Sequence, residues 1–396
     1  MNTNIKENVK SRPTDIIEII NNKEEHKLNQ TVVPTWRHLK VNSFLLKDYK
    51  LPSLEPYKKK YISFEENTLN GVEVLDTKSW VKKGKDLCGY LNTNDSFGVS
   101  KELTFLGEKG FNSGVFIRTS ENADIKSPIK LNFVMNDKNP VVIDHNIVIA
   151  EKGSKVTLVI DYSTDNIDKA LHNGVTKVFA MDNSNVTVVK IQRMNDKSQH
   201  FDSNVAFVER GAKVNWITIE FGSETNITNY ISNLNEDNSS SELYSAYFVD
   251  GSRKQDIYYT ANHFGRRTES IMDVKGVLKD KAKKVFRGNI DFKKGSTKSK
   301  GAQTEDVLLL DAAVKSDSIP MLLCEEDDVE GAHAASVGQM DEDKLFYLMS
   351  RGFNEKEAKK LVVEAKFTPI FDRIPVKELR ELLIDELNRR LVDEQD

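Results

Sequence analysis

The sequence predicts a mainly β chain, a β-solenoid set between an N-terminal mixed region and a small C-terminal helical domain. Two observations carry this prediction. A similar turn recurs about once per coil through the middle of the chain, and the residues between its copies form β-branched or alternating runs with almost no helical periodicity. Near residue 340 the period then changes abruptly to a helical one. On this reading the 396 residues divide into a mixed α/β region over 1–125, a solenoid over 126–335 and a helical module over 336–396.

The N-terminal region offers a short helix at Asp15–Asn22 and a proline-punctuated element at Val33-Pro34-Thr35-Trp36-Arg37-His38-Leu39-Lys40. Gly107, Gly110 and Gly114 fall close together, at a density typical of turns. In the middle region strands are expected at Val141–Ile149, Val156–Ile160, Val186–Ile191 and Val214–Ile219. Three of them follow similar turns: Gly153-Ser154-Lys155-Val156, Asn183-Ser184-Asn185-Val186 and Gly211-Ala212-Lys213-Val214. Val186 lies 30 residues after Val156, and Val214 lies 28 after Val186. Fainter copies are Ser241-Glu242-Leu243, Ala282-Lys283-Lys284-Val285 and Ala313-Val314-Lys315. A single coil cannot bury its own apolar face, so stacking on neighbours completes the core. Ser154, Ser184 and Ala212 are expected in the tight turn, with the valine after each pointing inward. A β-sandwich of short strands is the competing architecture.

The last region reads as three helices. Asp341 caps the first, which runs through Leu345, Leu348 and Met349 to a stop at Gly352. Asn354 and Glu357 have capping-box spacing for a second, carrying Ala358, Leu361, Val362 and Ala365. Beyond Pro369 and Pro375, the third puts Leu379, Leu382, Leu383 and Leu387 on one face and Glu381, Asp385, Glu386, Arg389 and Arg390 on the other. Three short helices make a small core, so they are expected to pack on the solenoid end or on a partner.

Composition narrows the function. A chain that is 38% hydrophobic and 30% charged suits a soluble globular protein. Its net charge of −4 gives no global field for nucleic acid or an anionic membrane, and Lys58, Lys59 and Lys60 read as solvated surface. No apolar stretch approaches the ~20 residues that span a bilayer, and Met1–Glu25 has no apolar core resembling a signal peptide. Cys88 and Cys324 lie far apart, which excludes a disulfide framework and a self-contained tetrahedral cysteine site. Both facts fit a reducing cytoplasm.

Phosphate-loop, dinucleotide-fingerprint and Gly-x-Ser-x-Gly motifs are absent. A solenoid acting on polysaccharide needs two carboxylates across one bond, for which Asp144, Asp161 and Asp182 are the candidates, although turn-capping and surface roles are commoner for aspartate. The densest chemical signal is the segment from Asp317 to Gln339. There a strand enters at Pro320, carries Cys324, passes an acidic turn and presents His333 among small residues. Thiolate and imidazole are ligands for iron and softer metals, and two from one chain leave a site for a partner to complete. Spacing alone favours the plainer alternative of a buried cysteine and a histidine satisfied by backbone.

The same stretch carries a family resemblance. Asp317-Ser-Ile-Pro320, His333-Ala-Ala-Ser-Val-Gly-Gln339 and Asp341-Glu-Asp-Lys-Leu-Phe-Tyr-Leu-Met-Ser-Arg-Gly352 resemble the SufB/SufD family of iron–sulfur cluster assembly proteins. So does Pro34-Thr-Trp-Arg-His-Leu-Lys-Val41, and the Val-Gly-Gln after the histidine is similar to SufD rather than SufB. The resemblance implies a right-handed parallel β-helix and a non-catalytic, SufD-like scaffold in the cytoplasm. It would pair with a SufB-like subunit through the solenoid and dock a SufC-like ATPase through the C-terminal helices. It further implies His333, and less strongly Cys324, as ligands to a transient iron–sulfur cluster at the partner interface, with flavin associated with the complex. Two departures are Gly331-Ala332 where some SufD chains carry a cysteine, and Cys324, which aligns with no functional family cysteine. The other readings are a SufB-like scaffold that self-associates and holds the cluster itself, and a carbohydrate-active β-helix.

Overall fold

The structure, a computed structural model, describes residues 97–392 continuously, together with 17–18, 20–30, 44–47, 50–65, 70–77, 79 and 90. Cys88 and the Val33–Val41 motif lie outside the described residues, as does part of the Asp15–Asn22 helix, of which residues 17–18 and 20–21 are helical.

Strands β1 (Glu25–Leu28) and β2 (Phe44–Lys47) pair antiparallel. Two short strands, β3 (Ile62–Ser63) and β4 (Val72–Asp76), precede helix α1 (Lys101–Lys109). The solenoid follows as β5 (Val115–Thr119), β6 (Ile129–Met135), β7 (Val141–Ala150), β8 (Lys155–Thr164), β9 (Leu171–Ala180), β10 (Asn185–Arg193), β11 (Gln199–Val208), β12 (Lys213–Glu220), β13 (Thr225–Leu234), β14 (Ser240–Val249), β15 (Lys254–His263), β16 (Glu269–Leu278), β17 (Lys283–Phe292), β18 (Ser299–Leu309), β19 (Lys315–Cys324) and β20 (Val329–Gln339). Helices α2 (Glu342–Ser350), α3 (Glu355–Phe371) and α4 (Lys377–Val392) complete it. Odd strands from β5 to β19 form one sheet and even strands from β6 to β20 the other, so eight two-stranded coils stack with every coil-to-coil pairing parallel. Parallel pairing excludes the sandwich, whose sheets are antiparallel.

The recurring turn sets the repeat. Before each even strand from β8 to β18 one residue takes a left-handed conformation: Gly153 (φ 68°), Asn183 (59°), Gly211 (64°) and Asn238 (60°) in the first four, then Arg267 (54°) and Lys298 (60°). Glycine and asparagine tolerate that region best, which is why they alternate in the first four. Ser154, Ser184 and Ala212 are buried beside it, and Val156, Val186 and Val214 stack in register in the interior as expected. Successive register partners Val156, Val186, Val214, Ser241, Ser270, Gly301 and Gly331 lie 27 to 31 residues apart.

Three expectations need correction. The partner of Val214 is Ser241, so the Leu243 echo is offset by two residues. The copies at Ala282 and Ala313 do match one another, through Lys283 and Lys315, but in the odd sheet. Gly107 sits inside α1, where a Cβ would lie 2.4 Å from Cγ2 of Val175, so it serves close packing of the helix on β9 rather than a turn.

In the helical module Asp341 caps α2, and the Asn354–Glu357 capping box opens α3. Helix α3 continues through Pro369 to Phe371 and buries Ala358, Val363, Phe367, Ile370 and Phe371, whereas Leu361 and Ala365 face outward. Together with Leu383 and Leu387 of α4, these residues cover the outer flank of the even sheet at Ile191, Ile219, Phe221 and Phe248. The module therefore lies along the solenoid, because that flank is apolar, and not on its end. Arg390, expected on the wet face, is buried instead. Its Nε donates to Oδ2 of Asp250 at 2.8 Å, further donors reach the carbonyls of Phe221 and Phe248, and its guanidinium lies 4.6 Å from the Phe248 ring centre. Desolvation lowers its pKa to about 10.

The middle coils hold a sealed polar network. His172 Nε2 contacts Asp144 Oδ1 at 2.6 Å and its Nδ1 contacts His200 Nδ1 at 2.8 Å. Lys190 Nζ donates to Asp202 at 2.7 and 2.9 Å and to Asn204 at 2.8 Å. Burial pushes Asp202 up, but Lys190, His200 and His172 together outweigh it and hold the carboxyl below its ordinary value. Buried polar groups are tolerated only when satisfied, and this network pins coil register as well as filling space. Glu220 lies close by without a cation bonded to it: burial raises it to about 8, and among the described residues Asn226 is its one donor, at 2.9 Å. Its unfolded carboxyl ionises from about 4.5. It thus supports folding fully below pH 4.5 and loses that contribution as the pH rises toward about 8. Glu220→Gln is therefore expected to raise the urea midpoint at pH 8 relative to the parent and to leave it nearly unchanged at pH 4.5. An equal gain at both pH values would show that ionisation is not the cause.

Candidate functional site at the open edge of the solenoid

The two ends of the solenoid differ. At the N-terminal end the sheets finish in short antiparallel strands, β4 along β5 and β3 beside two residues of β6. At the other end β19 and β20 are the outermost strands, and no described strand pairs beyond them. Residues Glu330–Gln339 of β20 are exposed along nearly the whole strand. Apart from His333, Val337 and the terminal residues, that strand consists of glycine, alanine and serine.

Register places the candidate residues. Strand β18 alternates, with Gly301, Gln303 and Glu305 buried and Ala302 and Thr304 exposed. His333 pairs with Gln303 and therefore takes the inward parity of the last coil. Cys324 pairs with Phe292, which is buried, and so has inward parity on the opposite sheet. A Cβ on Gly331 would meet Leu322 at 2.8 Å and Phe292 at 3.2 Å, which confirms that these positions share the lumen side. Both residues nonetheless are exposed, because no further coil lies over them. The plainer expectation of a buried cysteine and a satisfied histidine does not hold. His333 makes no hydrogen bond to a described residue, and Cys324 is a free thiol.

One coil behind lies a charged group that sequence reasoning missed. Lys284 Nζ donates to Glu305 Oε1 at 2.7 Å, to Ser318 Oγ at 3.1 Å and to the carbonyl of Asp317 at 3.3 Å. Tyr247 donates to the same carboxylate oxygen at 2.8 Å. Burial lowers the Lys284 pKa while Glu305 opposes the change, and burial with the Glu305 charge drives Tyr247 well above its ordinary value. The Asp317-Ser-Ile-Pro320 motif thus has a structural task, since two of its polar groups tie β19 to this ion pair. In the acidic turn between the strands, the amides of Gly295 and Asp328 hold Glu326 below its ordinary value. Among the described residues no group of three or more His, Cys, Asp and Glu side chains is arranged to hold a metal ion.

The carbohydrate candidates do not converge. Asp144 is sealed in the interior, accepting from Tyr162 at 2.9 Å, and Asp161 is paired with Arg193 at 2.8 Å through the outer face of the other sheet. Asp182 lies in an exposed turn. A second exposed surface is α2, which buries none of its residues. Phe346, Tyr347 and Met349 on it, with Phe353 just beyond, are exposed by 73%, 55%, 43% and 40%. No described helix is long and apolar enough to cross a membrane.

Comparison with known proteins agrees with this architecture. The family described as "SUF system FeS cluster assembly, SufBD core domain" matches residues 133–366. The iron–sulfur cluster assembly protein SufD of Bacillus subtilis is 28% identical over 324 residues, 81% of this chain and 74% of that protein. An iron–sulfur cluster assembly SufBD family protein of Mycobacterium leprae is 29% identical over 303 residues, 76% of this chain and 34% of that longer protein. A SufBD family protein of Staphylococcus epidermidis is 25% identical over 315 residues, 78% of this chain and 66% of that protein. With eight stacked parallel coils and the family match spanning more than half its length, the chain belongs to the SufBD core-domain family of iron–sulfur cluster assembly proteins.

Proposed function

We propose that the chain is a non-catalytic, SufD-like scaffold subunit of a SUF-type complex, in which the open solenoid edge pairs with a SufB-like subunit and the helical module docks a SufC-like ATPase. The observation that supports this reading is the asymmetry of the ends, one finished by the short antiparallel strands β3 and β4 and the other by the long parallel strands β19 and β20, of which β20 is exposed. A long exposed strand with small side chains is a template for another strand. His333, and more weakly Cys324, would meet the partner there and contribute ligands to a nascent cluster, which is cargo and needs the partner to complete its coordination. Flavin is assigned to the assembled complex and to no residue of this chain. The apolar patch on α2 is the proposed ATPase contact, since such patches seldom stay uncovered. In isolation the same edge would pair two copies of the chain.

Ala334→Lys places a charge on the exposed strand and is expected to abolish pairing, read as molar mass by light scattering with and without the SufB-like subunit. Undiminished pairing would remove β20 from the interface. Phe346→Glu combined with Tyr347→Glu alters only exposed positions and should eliminate co-purification of the ATPase with the circular dichroism unchanged; full retention would refute the docking surface. Anaerobic reconstitution of the lone chain should leave no stable iron and sulfide. Stable cluster that is lost on Cys324→Ser would instead assign the self-associating, SufB-like scaffold.

A further inference from the structure

The interior column that ends at His333 contains a polar side chain with nothing to bind. Leu243, Met272, Gln303 and His333 are successive register partners on β14, β16, β18 and β20. Gln303 is 1% exposed, yet neither its amide oxygen nor its amide nitrogen has a hydrogen-bond partner. Its surroundings explain this. The neighbour on one side is the thioether of Met272, a weak acceptor and no donor. On the facing strand is Gly288, where a Cβ would lie 2.4 Å from Cδ, Nε2 and Oε1 of Gln303, so the amide fills the space that the glycine leaves. The neighbour on the other side is His333. In-register residues on adjacent strands stand about 4.8 Å apart and project the same way. Two residues along the same face, Glu305 has one oxygen held by Lys284 and Tyr247 while its Oε2 is also unpartnered.

These unused groups are complementary: an amide NH2 beside a free carboxylate oxygen, and an amide carbonyl beside an imidazole. An imidazole that ligates a metal does so through a neutral ring nitrogen, and its other ring N–H is normally held by an acceptor. We propose that Gln303 is the positioning residue for His333. On rotation of the amide and the imidazole, its carbonyl would accept one ring N–H, its NH2 would donate to Glu305 Oε2, and the remaining ring nitrogen would keep its lone pair directed out of the open edge. Lys284 and Tyr247 hold Glu305 in place, so the imidazole is oriented by a chain of hydrogen bonds reaching one coil into the solenoid. The inference rests on the ligand role proposed for His333, and its test separates the two.

The full-length chain, labelled with 15N-histidine, is measured by NMR at a pH of about 8.5, where an ordinary imidazole is neutral. The His333 signals are those absent from His333→Asn. The expected parent spectrum shows one tautomer, with one protonated and one bare ring nitrogen. Gln303→Met, nearly isosteric and matching Met272 beneath it, should collapse those shifts to an average of two tautomers. Ring shifts in Gln303→Met identical to the parent would overturn the proposal. Iron and sulfide content of the assembled complex carrying His333→Ala is read independently. Full retention there would remove the ligand role and leave the tautomer result standing.

Discussion

Everything in this molecule follows from parallel, in-register stacking of one coil on the next. Each inward residue must sit on the inward residue of its neighbour, so the interior is a set of columns rather than a loose core. Apolar columns such as Val156, Val186 and Val214 satisfy that condition trivially. Charged residues inside are held where adjacent positions supply partners, as Lys190 does for Asp202 and Lys284 for Glu305. A column is complete wherever another coil follows. Only the last coil lacks a successor, and it is the one that bears Cys324 and His333.

Much of this could be read from residues. The left-handed turn has a chemical signature in the coils from β8 to β14, where glycine or asparagine takes it, and in the first three of these a buried small residue and an inward valine follow. Later coils place Arg267 and Lys298 there, so the signature fades. Caps at Asp341 and Asn354 were equally legible, since they depend on side chains a few residues from the groups they satisfy. What escaped was everything set by distant neighbours. Gly107 resembled a turn residue because its reason for being glycine, Val175, lies far along the chain. Arg390 sat among charged residues on a helical wheel, and nothing local marks Asp250 as its partner. His333 and Cys324 stood out as chemistry, but their exposure on an uncovered edge depends on where stacking stops, a property of no local motif.

The helical module and the open edge are far apart in role but share the same sheet. Helices α3 and α4 lie on the outer flank of the even strands, and Arg390 grips carbonyls of Phe221 and Phe248, which end or follow neighbouring coils. A force applied to the module would therefore enter the rod along its side, spread over several coils, instead of prising at one end. Because the core is columnar and its charges are paired, a small displacement of coils would be transmitted rather than absorbed.

The antiparallel strands β3 and β4 carry a consequence for stoichiometry. A rod with two bare ends could add copies indefinitely and grow into a fibre, as head-to-tail contacts do when no rotation closes them. Here one terminus ends in the short antiparallel strands β3 and β4, so on the proposed pairing a single joining event uses the one long exposed strand, β20, of each participant. An assembly formed by the proposed edge pairing would end at a pair of rods, without any separate device to limit its growth.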